Sequence, residues 1–258
     1  MKLSVLVPSI RTENLKNLYD SIKQSFSEEF EFIVASPYDL PWVLKDIYNV
    51  KLIKTYRSPL AAQQQALIQS TGEWIIWCAD DGECLPDMLD DSFKLLEGKD
   101  YKTIIVSKYL EGNNPVGMEN KEYYMLHTHD NMRLKGVPIN AMLLNCGVVS
   151  NQLLVELGGW DASKFEVCPM GYTDFSIRAL KYGAEFILQD KPVFKCSHEP
   201  GLEGSHAPIH NAQTRKDEPI FKMIYYKEND RMVIPLDNWK QTEEVWSRRF
   251  NEGIASTA

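Results

Sequence analysis

Residues Glu73–Pro86 read EWIIWCADDGECLP, an apolar run that stops abruptly at a pair of carboxylates. The run Trp74–Trp77 has no polar alternation, which is the pattern of a strand covered on both faces. A strand buried on both faces needs helices above and below the sheet, and the flanking sequence supplies them. Upstream, Ala61–Ser70 carries Ala62, Ala66 and the Leu67/Ile68 pair at helical spacing. Three more apolar runs precede it, Lys2–Val7, Phe30–Ala35 and Val50–Lys54. Between the first two, Glu13–Phe26 places Leu15, Leu18, Tyr19, Ile22 and Phe26 at helical spacing. Downstream, Pro86–Leu96 reads as a helix, Thr103–Tyr109 and Asn140–Val149 as strands, and Asn151–Leu157 and Asp174–Tyr182 as helices, the last closed by Gly183. Short strands are expected at Glu185–Leu188 and Val193–Cys196. The expected class is α/β, a Rossmann-like, mostly parallel sheet flanked by helices.

The rest of the chain departs from this rhythm. Glu111–Gly136 is polar, with turn residues at Gly112, Asn113, Asn114, Pro115 and Gly117, and reads as a loop or hairpin excursion. Glu199–Pro208 holds Gly201 and Gly204, two prolines and two acids, which suit a mobile loop. Thr214–Tyr226 and Asn238–Phe250 then form a small C-terminal helical extension. The second of these sets Trp239, Trp246 and Phe250 roughly on one face, for packing on the core or, alternatively, for dimerisation or contact with a lipid-linked acceptor.

Composition excludes several classes. The 258 residues are 44% hydrophobic and 25% charged, as in an ordinary globular protein, and the charge sum of 28 basic against 36 acidic residues is −8. No Lys/Arg block offers a footprint for duplex nucleic acid. No window has the run of roughly 18 apolar residues that a membrane span needs, and Pro8 and Arg11 cut the first apolar run short of a signal-peptide core. The five cysteines, Cys78, Cys84, Cys146, Cys168 and Cys196, are scattered without a CxxC pair, which fits a reducing cytoplasm. The short motifs of dinucleotide, P-loop, zinc-protease and nucleophile-elbow sites are all missing. The histidines at 127, 129, 198, 206 and 210 do not follow tetrahedral zinc spacings.

What remains is Asp80–Asp81, with Glu83 close behind, at the carboxyl end of a buried strand, where open α/β sheets bind ligands. Adjacent acids repel unless a cation sits among them, and oxygen ligands suit Mg²⁺ or Mn²⁺, which also bridge phosphates. Acids that merely favour the start of the next helix are the alternative.

The segment LSVLVPS from Leu3, followed by SPLAAQQQALIQSTGEWIIWCADDGECLP, resembles the nucleotide-binding half of the family-two GT-A glycosyltransferases. LGGWDASKF at Leu157–Phe165, DFSIRALKYGAEF at Asp174–Phe186 and a strand leading to His198 are similar to that family's acceptor-side pieces. The resemblance covers roughly residues 2–200 and implies a GT-A catalytic domain over 1–198, with a nucleotide-binding half at 1–97 and an acceptor-side half at 98–198. Residues 199–258 would be the loop and helices packed on it. It also implies transfer of a sugar from a nucleoside-diphosphate donor, a UDP-sugar first, to a hydroxyl of a glycan or other acceptor, with inversion and a divalent cofactor.

Carried over residue by residue, the resemblance gives Pro8, Ser9 and Arg11 to the nucleoside pocket, and Gln65 to the donor side. Aligned on Pro86, the family's Asp-x-Asp motif falls on Ala79 and Asp81, so Asp81 is the implied metal ligand, with His198 completing the shell and Glu83 reaching it through water. Asp80 would support the metal or touch the ribose. The acceptor hydroxyl needs a carboxylate base, for which Asp174 is the natural candidate and Glu166 and Asp161 are alternatives, although the family's base position lies nearer Tyr172 and Asp174 could equally cap its helix. Trp160 would offer a ring face to a sugar, or pack in the core, while Asp161 would orient the acceptor or fix the Gly158–Gly159 turn. Residues 199–215 could close over the diphosphate, bringing His206, His210 or Arg215 to the phosphates. A nucleotidyltransferase and a non-catalytic nucleotide-sugar-binding module are the rival readings. Pro8-Ser9-Ile10-Arg11 lacks the glycines of the former, and Ala79 motivates the latter.

Overall fold

The computed structural model describes residues 1–112, 121–123, 144–197 and 207–225. The Asn238–Phe250 helix, His127, His129, His198, His206 and most of the 111–136 and 199–208 segments lie outside the described residues.

Nine described strands form one sheet: β1 (Leu3–Pro8), β2 (Phe30–Ser36), β3 (Val50–Lys54), β4 (Trp74–Trp77), β5 (Gly82–Cys84), β6 (Thr103–Gly112), β7 (Lys121–Tyr123), β8 (Gly147–Ser150) and β9 (Glu185–Ser197). Their order is β3-β2-β1-β4-β8-β6-β9-β5, with β7 beside β6. The β3-β2-β1-β4 half is parallel throughout. Past β4 the sheet is mixed, because β8 runs antiparallel to β4 and β6, β6 and β9 are parallel, and β5 is antiparallel to β9.

Side chains alternate between two cores on opposite faces of the sheet, as a pleat dictates. Leu3, Val5 and Val7 of β1 enter one core with α1 (Leu15–Ser25) and α4 (Met88–Leu96). Leu6 enters the other with α3 (Pro59–Ile68), α5 (Asn151–Leu157) and α6 (Cys168–Lys181). The short α2 (Trp42–Lys45) lies between β2 and β3. In the C-terminal part, α7 (Ala207–Ala212), a π-helical stretch Gln213–Asp217 and α8 (Glu218–Met223) follow one another, and Phe221 and Tyr225 join the second core. No described helix is long and apolar enough to cross a membrane.

Local chemistry sets the boundaries. Ser58 caps α3 by accepting from the Ala61 amide at 3.3 Å, with Pro59 in the first turn, where its missing N–H costs nothing. Ser150 caps α5 through the Leu153 amide at 3.0 Å, and Gly158 ends it with φ +79°. Gly159 follows with φ +65°, where a Cβ would stand 2.3 Å from the Gln64 Oε1, so only glycine fits. Three expectations are corrected. The helix expected from Asp174 starts at Cys168, because Pro169 occupies its first turn rather than breaking it. The two short strands at 185–196 are one, with irregular register opposite Val106–Tyr109 that absorbs Pro192. The single helix at 214–226 is three consecutive helical pieces starting at Ala207.

Candidate functional site

A cleft of about 330 Å³ opens at the carboxyl ends of the parallel strands, where the crossover helices leave room for a ligand. One wall comes from β1 and the loop after it (Pro8 to Arg11), from Ala35 in β2 with Pro37 and Tyr38 after it, and from Thr55 and Arg57 after β3. Its floor is the β4 end, Trp77 to Asp80, with Gly82. The facing wall is built from Tyr109, Asn145, Cys146, Phe194 and Cys196, with Cys168 and Tyr172 of α6 and Pro208 and Ile209 of α7.

Asp80 organises the donor-side wall. It is 4% exposed, and its Oδ2 accepts from the Ser9 hydroxyl at 3.0 Å and from the amides of Ile10 at 3.1 Å and Arg11 at 2.9 Å. Its Oδ1 accepts from Arg11 Nε at 2.9 Å and from Arg11 Nη2. The third guanidinium nitrogen, Nη1, pairs with Asp81 Oδ2 at 3.2 Å. Burial alone would lower the Arg11 pKa, but the charges of Asp80 and Asp81 outweigh it and hold the guanidinium charged. Pro8, Ser9, Arg11 and Asp80 are thus brought together at the cleft as the sequence suggested. Asp81 stands beside them without lining the cleft, and Glu83 is exposed on β5 opposite Lys195.

The acceptor-side expectations fare differently. Asp174 is fully buried inside α6, where Arg178 Nε donates to its Oδ2 at 2.9 Å and the Tyr225 hydroxyl to its Oδ1 at 2.5 Å. Arg178 also donates to the carbonyls of Leu157 and Gly159 at 2.6 Å each, placing a cation at the end of α5. A carboxylate held this way cannot reach an acceptor proton, nor is it an N-cap, so both roles give way to a structural ion pair. Trp160 is buried edge-on to Trp77, with ring centroids 5.1 Å apart, and offers no face to a sugar. Asp161 is likewise buried and accepts from the Ser163 amide at 3.1 Å and its hydroxyl at 2.5 Å, so it fixes a turn. Glu166 pairs with Lys216 at 2.5 Å and does not line the cleft. Gln65 and Arg215 also lie outside the lining, and Arg215 is exposed.

Sequence reasoning passed over the neighbours of Gln65. The Gln64 amide donates to the Gly158 carbonyl at 3.3 Å and its Oε1 accepts from the Trp160 amide at 3.1 Å, sewing α3 to the turn after α5. Gln63 Oε1 accepts from the hydroxyl of Tyr172, which lines the facing wall, at 2.6 Å. Burial drives the Tyr172 phenol well above its ordinary range, so it stays protonated. Three glutamines in a row in an otherwise apolar helix were the available signal.

A divalent metal is poorly matched to the described groups. Asp80 already meets five donors, more than its roughly four lone-pair sites, Asp81 is engaged by Arg11, and Ala79 brings a methyl to the cleft. Among the described residues no group of three His, Cys, Asp or Glu side chains could hold a metal. His198, the other expected ligand, lies outside them.

A model of Glycosyl transferase family 2 matches residues 4–153, more than half of the chain, and the protein belongs to that family. Its fold is similar to that of S. aureus TarS 1–349 in complex with UDP, with a TM-score of 0.54 at 20% identity over 78% of this chain and 61% of that one. The complex of TarS 1–349 with UDP-GlcNAc gives 0.53 at 18% identity over 78% and 60%. A further TarS structure gives 0.51 at 19% identity, where this chain spans 37% of the neighbour's length. This chain therefore covers less than two thirds of the TarS chains it resembles. No curated protein sequence matches it.

Proposed function

We propose that the protein transfers a sugar from a nucleoside-diphosphate donor, a UDP-sugar, to a hydroxyl of a glycan or other acceptor. The observation that carries this reading is the cleft at the carboxyl edge of β1–β4, whose donor wall is held in shape by Asp80. Pro8 and Ser9 shape the pocket for the nucleoside, Tyr38 and Pro37 wall the base, and Arg11 faces the diphosphate. UDP is the first donor to test because the TarS neighbours were solved with UDP and UDP-GlcNAc.

Inversion by a single displacement suits the cleft chemically. Asp80, the one carboxylate among the described lining residues, is fully engaged and not poised as a nucleophile for a double displacement. The divalent metal common in the family is left out of the reading, because the carboxylates that would hold it already have partners. The five free thiols suit a reducing cytoplasm. One observation favours a second reading, nucleotide-sugar binding without transfer: the expected base Asp174 is sealed in the core.

The test is thermal unfolding against UDP, GDP, CDP and dTDP, followed by transfer and hydrolysis assays with UDP-sugars. A ligand at a hundred times its Kd stabilises by ~2.7 kcal/mol, roughly 5–10 °C for a domain this size. A shift specific to UDP is expected, and no shift with any nucleotide would sink the donor-site reading. A UDP shift with neither transfer nor hydrolysis would favour the binding module.

A further inference from the structure

We propose that Arg11 is the resident cation of the donor site, so that the nucleoside diphosphate binds there without a divalent ion. The inference rests on the donor-site reading above and extends it to what neutralises the phosphates. A buried carboxylate with a second, partly buried one beside it is tolerable only with a cation between them. Here all three guanidinium nitrogens of Arg11 serve that purpose, two on Asp80 and one on Asp81.

The arrangement leaves little for a metal to take. Asp80 Oδ2 is filled by Ser9 and by the amides of residues 10 and 11, so withdrawing it to a metal would strand a hydroxyl and two backbone donors. Position 79 contributes no side-chain oxygen, and its carbonyl already accepts from the Gly82 amide at 3.2 Å. Meanwhile the charges at the cleft balance without a metal: among the described lining residues Arg11 and Arg57 are the cations and Asp80 the one acid, with Asp81 paired to Arg11 beside them, in a chain whose net charge is −8. The Arg11 side chain keeps 28% of its surface exposed while bound to both carboxylates, so phosphate oxygens can reach its outer face. A planar guanidinium is suited to bridging carboxylate and phosphate at once, and it stays charged over the whole physiological range.

The experiment is calorimetric titration of UDP into the full chain, in EDTA and in millimolar MnCl₂, with MnCl₂ alone as a third titrant. The expected result is a UDP affinity in EDTA within about threefold of that in Mn²⁺, and weak binding of Mn²⁺ alone. Arg11→Ala should weaken UDP binding in EDTA by roughly tenfold or more, the worth of a charge-assisted contact. It should also tighten Mn²⁺ binding, since Asp80 Oδ1 and Asp81 lose their guanidinium partner. Should Arg11→Ala fail to fold, Arg11→Lys serves instead, because an ammonium keeps the charge but loses the fork that reaches both carboxylates and a phosphate, and it should weaken UDP binding in EDTA by severalfold. UDP binding that needs Mn²⁺ in the parent chain, or that is unchanged in EDTA by the Arg11 substitution, overturns the inference and leaves the donor site standing. No UDP binding under any condition overturns the donor-site reading itself.

Discussion

Two arginine–aspartate clusters in this molecule use the same functional groups and differ in where they sit. Arg178 and Asp174 are both 0% exposed, closed off by Tyr225 and by the carbonyls that end α5. Arg11 with Asp80 and Asp81 lies at the rim of the cleft, with the guanidinium 28% exposed. A sealed pair has satisfied every atom internally and can only hold the fold together. An open one of the same chemistry keeps a charged face for an incoming anion. Exposure, more than residue type, separates the architectural cluster from the one that can bind.

That contrast can be broken experimentally, and the largest effect is expected at the sealed pair. Arg178→Ala leaves a buried carboxylate without its cation, and should cost about 3–5 kcal/mol in urea unfolding. Gly159→Ala comes next, since a left-handed residue gains a Cβ 2.3 Å from Gln64 Oε1 beside the carbonyl that Arg178 holds. It should destabilise by about 1–3 kcal/mol in the same measurement. If either variant bound UDP markedly less well per folded molecule, the sealed cluster would be coupled to the cleft.

Asp217 sharpens the comparison as a buried acid that has backbone donors and, among the described residues, no arginine partner. It accepts from the amides of Glu166 and Val167 at 2.9 to 3.1 Å, and burial pushes its pKa up to about 7 against those bonds. The folded chain then holds a proton over a range where the unfolded chain has lost it. Stability contributed by that proton is therefore full below the ordinary carboxylate range and declines as the pH rises towards about 7. Asp217→Asn should flatten this slope, as read from urea midpoints between about pH 5 and pH 8. The smallest effect is expected at exposed Arg215, where Arg215→Ala should change stability by less than about 0.5 kcal/mol and leave the UDP-induced thermal shift unchanged.

The sequence was most legible where burial imposes period and where strands end. EWIIWC followed by two acids located β4 and the cleft floor, because an uninterrupted apolar run has one stable home in a doubly covered sheet. Asp80 was legible as a cleft residue from its place at the end of that strand, whereas Ser9 and Arg11 came only from the family resemblance. The acceptor half was harder to read. Asp174, Trp160 and Asp161 carry chemistry-bearing side chains, and nothing in their local pattern says that Tyr225, Trp77 and Ser163 arrive to occupy them. Two of those three partners come from distant parts of the chain, and burial by distant partners has no periodicity to detect. Gly82–Cys84 was missed for the opposite reason, since three residues are too few to show any period.

The pairing of Gly82 with Cys196 has a consequence for synthesis. The parallel half of the sheet, with the loop that Asp80 secures, is complete in the chain by residue 84 and can assemble while the ribosome is still working. The opposite wall waits for Phe194, Cys196, Pro208 and Ile209. A nascent chain therefore carries an open half-cleft, with Trp77 and Cys78 uncovered, for more than a hundred residues of elongation. During that interval the apolar floor lacks its facing wall, which Phe194, Cys196, Pro208 and Ile209 complete.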